Sequence, residues 1–110
     1  MVYLSEHRSL AALETLVHAA RPELLHGQYL LIEVTVPDEL VLTLDQAALP
    51  PGWNAPSNFT VSQELGDAWL SERASLALKV PSAVIPEESN LLLAPGHADW
   101  PRLSIGKARP

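Results

Sequence analysis

The sequence contains no cysteine. That excludes a disulfide framework and any thiolate metal site. A reducing cytosol is the expected setting, although the absence of cysteine also fits many secreted bacterial proteins. No apolar run approaches the roughly 18 residues that a membrane-spanning helix needs. The opening segment, MVYLSEHRSL, has no basic region ahead of an apolar one and no signal-type cleavage pattern. Positive charge is scarce: 7 Lys and Arg stand against 13 Asp and Glu, for a formal net charge of −6. Direct binding to nucleic acid needs a basic face, which this balance can scarcely build. The phosphate-binding patterns GxGxxG and GxxxxGK(S/T) are missing, so neither a Rossmann-type dinucleotide site nor a P-loop is supported. The GxSxG nucleophile elbow is missing too. The four histidines, His7, His18, His26 and His97, form no HExxH pair or other close ligand set. No metal site is expected.

What is present is enough for one domain. The chain has 110 residues, 47% of them apolar and 18% charged, which argues against a disordered tail and against a coiled coil. A domain of this size hides roughly 60–70% of its unfolded surface. Ten prolines predict short, punctuated elements. Leu10, Leu13, Leu16, Val17 and Ala20 recur at helical spacing, with Ser5 or Ser9 as the expected cap and Arg21-Pro22 as the stop. Val2-Tyr3-Leu4, Leu30 to Val36 and Val41 to Leu44 read as strands. Leu49 to Asn58, LPPGWNAPSN, is loop chemistry. A short helix is expected to start at Thr60 or Ser62 and run to about Ser71, turning Leu65, Trp69 and Leu70 inward. Ser75 to Val80, Ala83 to Ile85 and Asn90 to Leu93 are further strand candidates. Two helices among five or six short strands predict an α+β domain with a small mixed sheet.

Glu14 breaks the pattern. It falls between Leu10 and Val17, near the middle of the first helix's apolar stripe. A carboxylate buried there is unfavourable unless it is paired or hydrogen-bonded. Either it reaches past the stripe to water, Arg8 or His18, or it serves a site; the pattern does not choose. Ser75 has the usual place of an exposed strand start, Asn90 that of a turn residue, and Trp53 and Trp69 those of packing residues.

Together the segments VYLSEHRSLAALETLVH, LPPGW and GDAWLSERASLALKVPSAVIPEESNLLLAPGHADW resemble the RES domain in order, spacing and wording. The most specific stretch is SLALKVPSAVIPEESN with NLLLAPGHADW after it. The resemblance covers nearly the whole chain. It implies a compact α+β fold related to ADP-ribosyltransferases and a toxin of a bacterial toxin–antitoxin pair. It implies that NAD is the substrate and that the nicotinamide–ribose bond is broken, with phosphate, water or a protein as acceptor. It implies no metal. The implied partner is an Xre-type helix-turn-helix antitoxin, which blocks the active site and carries the DNA contact, all in the cytoplasm.

The same resemblance places the motif glutamate on Glu14 and the motif serine on Ser75 as catalytic residues. It places Tyr3, Asn90 and Ser82 in the NAD pocket. A carboxylate beside the ribose stabilises an oxocarbenium-like transition state, which gives Glu14 a reason to sit on an apolar face. Tyr3 would stack on the nicotinamide ring, while Ser75 and Asn90 would hydrogen-bond its amide or a ribose hydroxyl.

Two family segments have no counterpart in the sequence. The family's motif arginine, with a GGRWN-like stretch, lies upstream of VY-SE, and an FDPRL-like segment closes the domain. None of Arg8, Arg21, Arg73, Arg102 and Arg109 takes that arginine's place. Its bidentate grip on the pyrophosphate would be missing, and NAD binding weakened. The expectation for 1–110 is therefore a single RES domain lacking both ends, with open sheet edges that favour a homo- or hetero-oligomer. The alternative is an inactive RES-like module that only binds an antitoxin.

Overall fold

A computed structural model describes residues 1–18, 30–54 and 59–109. Among them are two α-helices, α1 (Arg8–His18) and α2 (Phe59–Glu72). The strands are β1 (Val2–Ser5), β2 (Val34–Thr35), β3 (Val41–Thr43), β4 (Ala77–Pro81), β5 (Ser89–Leu93) and β6 (Ser104–Ile105). The fold is the α+β arrangement expected. Four strands form one mixed sheet in the order β1-β5-β4-β3, and β2 pairs with β6 in a second, two-stranded sheet. β1 and β4 each run antiparallel to β5, while β3 and β4 are parallel. Parallel neighbours need a crossover, and α2 lies within the β3–β4 connection.

The core lies between α2 and the sheet. Trp69, Leu78, Leu92 and Ala94 form its buried cluster, with Met1, Leu44, Leu70 and Val80 packed around it. Leu78, Val80 and Leu92 share one sheet face because alternate strand residues point the same way. Gly66 brings α2 close to this face: a methyl there would lie 3.7 Å from Leu92 Cδ1 and 3.4 Å from Met1 Cε. Arg73 adopts φ 52° just past α2, the left-handed conformation that ends many helices.

Several expectations are revised. Neither Ser5 nor Ser9 caps α1. Ser5 belongs to β1, Ser9 lies inside the helix, and His7 flanks its start with a carbonyl that accepts from the Ala11 N–H. Thr60 and Ser62 likewise lie inside α2. The expected helix stop at Arg21-Pro22 lies outside the described residues. In α1 only Leu10 of the apolar stripe is sealed, whereas Leu16 and Val17 are exposed. The expected strand over Leu30 to Val36 shrinks to Val34–Thr35 and one isolated bridge between Leu31 and Arg109. Ala83 to Ile85 is no strand but part of the turn joining β4 to β5. There the Ser82 hydroxyl accepts from the Val84 and Ile85 N–H groups at 3.1 Å each. A side chain that captures two successive amides holds the chain in a turn and keeps those amides from any ladder.

Candidate active site

The β4–β5 turn, the start of β5 and the middle of α1 meet at one end of the main sheet. Glu14, half-buried on α1, is the focus. Its Oε1 accepts from Ser82 Oγ at 2.6 Å and from Asn90 Nδ2 at 2.9 Å. Ser82 is fully buried. Its hydroxyl gives its single proton to Glu14 while taking two backbone amides on its lone pairs, which saturates its capacity. Asn90 is half-buried, and its Oδ1 accepts from Ser5 Oγ at 2.8 Å. A hydroxyl and an amide thus converge on one oxygen of the carboxylate.

The reason for this convergence is register. Ser5 is paired with Asn90, and Asn90 with Val80, across three neighbouring strands. Ser82 lies just beyond the end of β4. Tyr3 pairs with Leu92 and shares a strand face with Ser5. It therefore stands roughly 7 Å along β1 from Ser5 at about 3.3 Å per residue. Tyr3 is 72% exposed. Glu14, Asn90 and Tyr3 line the same open cleft of about 2130 Å³. Its walls are largely apolar, with Leu30, Ile32, Trp53 and Leu65 among them, and two arginines, Arg8 and Arg109, also reach it. The exposure of Val17 and Leu65, which helical spacing alone would turn inward, has its explanation here: both line this cleft.

Ser75 is elsewhere. Its hydroxyl accepts from Trp69 Nε1 at 2.9 Å and donates to the Ala77 carbonyl at 2.7 Å. It precedes β4, whereas Ser82 follows it, so the two serines are separated by roughly 20 Å of extended chain. Of the five residues assigned to the site from sequence, the fold gathers Glu14, Ser82 and Asn90, sets Tyr3 on the same cleft, and leaves Ser75 at the far end of the strand. Ser5 was missed. It read as a helix cap, and the one clue to its role is that an alternate residue of β1 faces the same way as Tyr3.

No group of three or more His, Asp or Glu side chains suited to a metal occurs among the described residues. No helix among them is long and apolar enough to cross a membrane.

A carboxylate that accepts from a buried hydroxyl and an amide thus lies on the wall of an open cleft in a small α+β domain. The RES domain pattern matches residues 1–108, and the chain belongs to the RES domain family. It is 38% identical over 112 residues to the Prs ADP-ribosylating toxin of Sphingobium sp. (strain YBL2), a match covering 99% of this chain and 69% of that protein. It is 39% identical over 99 residues to Toxin Res of Photorhabdus laumondii, covering 90% of this chain and 63% of the relative. Toxin Res of Yersinia enterocolitica is 35% identical over 99 residues, with 90% and 64% covered. The chain thus spans from 63% to 69% of the length of these relatives.

Proposed function

We propose that this protein is a RES-type toxin that consumes NAD by breaking the nicotinamide–ribose bond, with Glu14 as the carboxylate facing the ribose. The observation that carries the reading is the Glu14–Ser82–Asn90 cluster on the wall of a cleft that also presents an exposed tyrosine. The name of the Sphingobium relative, an ADP-ribosylating toxin, supports the same substrate class.

In this reaction the bond from ribose C1′ to the pyridine nitrogen breaks. Its electron pair leaves with nicotinamide as the neutral base. An oxygen lone pair of the acceptor, water, phosphate or a protein side chain, forms the new bond to C1′, and the acceptor's proton passes to solvent. Positive charge builds on the ribose in between. A fixed negative charge beside it stabilises the transition state more than the ground state. Ser82 and Asn90 hold Glu14 for that task. Ser82, being buried, is a positioning residue and takes the place in the site that Ser75 was expected to fill. Tyr3 offers a ring face to nicotinamide. Among the described residues, Arg8 and Arg109 line the cleft and offer guanidinium groups to the diphosphate. The partner in this reading is an Xre-type antitoxin that covers the cleft and supplies the DNA contact, and the setting is the cytoplasm, where NAD is abundant.

The test incubates the purified chain with NAD and phosphate and measures free nicotinamide by chromatography, beside Glu14→Gln. The expected result is release by the native chain and a loss of roughly 10²–10³-fold in the variant, the scale of removing a preorganised electrostatic group. Equal release by a folded Glu14→Gln protein would overturn the assignment of Glu14. No release by the native chain would leave the inactive antitoxin-binding module as the better reading.

A further inference from the structure

We infer that Ser5 is a positioning residue of the site, which fixes the Asn90 amide so that its NH₂ faces Glu14. The inference rests on the NAD reading above for its consequence in catalysis, but not for its geometry.

Two neighbouring residues at the β1–α1 corner grip the start of β5. Glu6 holds the backbone: its N–H donates to the Ser89 carbonyl at 3.1 Å, and its Oε1 accepts from the Ser89 N–H at 2.9 Å. Ser5 holds the side chain, donating from Oγ to Asn90 Oδ1 at 2.8 Å. The far end of that amide donates from Nδ2 to Glu14 Oε1 at 2.9 Å.

An amide has one accepting end and one donating end, whereas a carboxylate only accepts. Asn90 must therefore turn Nδ2 toward Glu14, because the flipped amide would set two acceptors against each other. Glu14 thus dictates the orientation, yet a contact at one end does not hold it. The terminal torsion of asparagine is broad. Any ribose hydroxyl that competes for Glu14 would loosen the Nδ2 contact and let the amide swing. The Ser5 hydroxyl anchors the opposite end, at Oδ1, away from the carboxylate. Glu14 Oε1 then accepts from two held donors, the buried Ser82 and a doubly tethered Asn90. Such anchoring of the groups around a reacting carboxylate is what preorganisation requires.

The experiment compares the native protein with Ser5→Ala, Ser5→Val and Ser5→Thr. Valine and threonine have nearly the same shape and both suit an edge strand, so that pair isolates the hydroxyl even if the alanine variant fails to fold. The first readout is hydrogen exchange of the Asn90 side-chain NH₂ by NMR, which does not depend on turnover. It should speed up about tenfold in the alanine and valine variants, the scale of one lost hydrogen bond, and return to the native rate in threonine. The second is nicotinamide release: kcat should fall about tenfold without the hydroxyl, with KM unchanged, and recover in Ser5→Thr. Native-like Asn90 exchange in Ser5→Val would overturn the inference, and so would a loosened amide with unchanged kcat. If the native chain releases no nicotinamide, the NAD reading fails by itself, while the exchange data still decide whether Ser5 holds Asn90.

Discussion

Glu14 Oε1 lies 2.6 Å from the Ser82 hydroxyl, which joins α1 to the β4–β5 turn across 68 residues of sequence. The contact has two functions at once. It orients a carboxylate on the cleft, and it ties the first helix to the turn whose amides the same hydroxyl collects.

Replacing Ser82 by alanine should therefore damage stability and site together. The change leaves the Val84 and Ile85 N–H groups without their acceptor and takes one of the donors from Glu14 Oε1. Each unsatisfied buried group costs about 1–3 kcal/mol. Urea denaturation should show a loss of at least about 2 kcal/mol in Ser82→Ala. A variant as stable as the native protein would show that water replaces the hydroxyl without penalty.

Ser75→Ala should behave differently. That hydroxyl links Trp69 on α2 to the Ala77 carbonyl, and Trp69 belongs to the buried cluster. Its loss strands the indole N–H, for an expected destabilisation of roughly 1–2 kcal/mol. Nicotinamide release per folded molecule should stay near native, because Ser75 is remote from Glu14. A folded Ser75→Ala protein with activity reduced a hundredfold would return the serine role to Ser75.

These two serines show how far the sequence is legible. β4 follows from its alternation, β1, β3 and β5 from short apolar runs, that of β5 ended by Ala94-Pro95-Gly96, and α2 from its spacing, because local pattern reflects which face is buried. Ala83 to Ile85 misleads for a physical reason: three apolar residues between prolines look like a strand, but Ser82 captures the amides of Val84 and Ile85. Ser104–Ile105 escapes notice because a two-residue strand in a polar tail has no period to read. Glu14 stands out as a charge in an apolar stripe, yet nothing local to it points to Ser82 or Asn90. Their meeting depends on strand register between distant segments, and only the family resemblance named them. Both Ser75 and Ser82 flank β4, and pattern alone does not tell which end of that strand α1 covers.

The exposed pair Arg102–Glu39 gives a pH prediction. These residues form a salt bridge between the turn Asp38–Leu40 and the turn Trp100–Arg102. The Glu39 carboxyl titrates below its ordinary value, first because of a hydrogen bond with its own backbone and then because of Arg102. A depressed folded-state value means the contribution is present above the ordinary carboxylate range and fades as pH falls through the lowered value. In an NMR titration Arg102→Ala should move the Glu39 midpoint upward, but only part of the way, since the backbone hydrogen bond remains. No movement would show that solvent screens the guanidinium completely.

Gly66 and Gly106 should respond in opposite ways to alanine. Gly66 lies inside α2, where glycine is less favourable than alanine by roughly 0.5–1 kcal/mol. The added methyl would rest 3.4 Å from Met1 Cε, the mobile end of a flexible side chain, and 3.7 Å from Leu92 Cδ1. These are ordinary contacts, so Gly66→Ala should raise stability by about 0.5–1 kcal/mol. At Gly106 the methyl would stand 3.0 Å from the Glu33 carbonyl oxygen, the same oxygen that accepts from the Gly106 N–H at 2.7 Å. Backbone cannot step aside as a methionine tip can. Gly106→Ala should lower stability by about 1–2 kcal/mol, as overpacking does. Thermal unfolding of both variants under identical conditions decides the matter. If both melt at the native temperature, neither close approach limits the packing of its element.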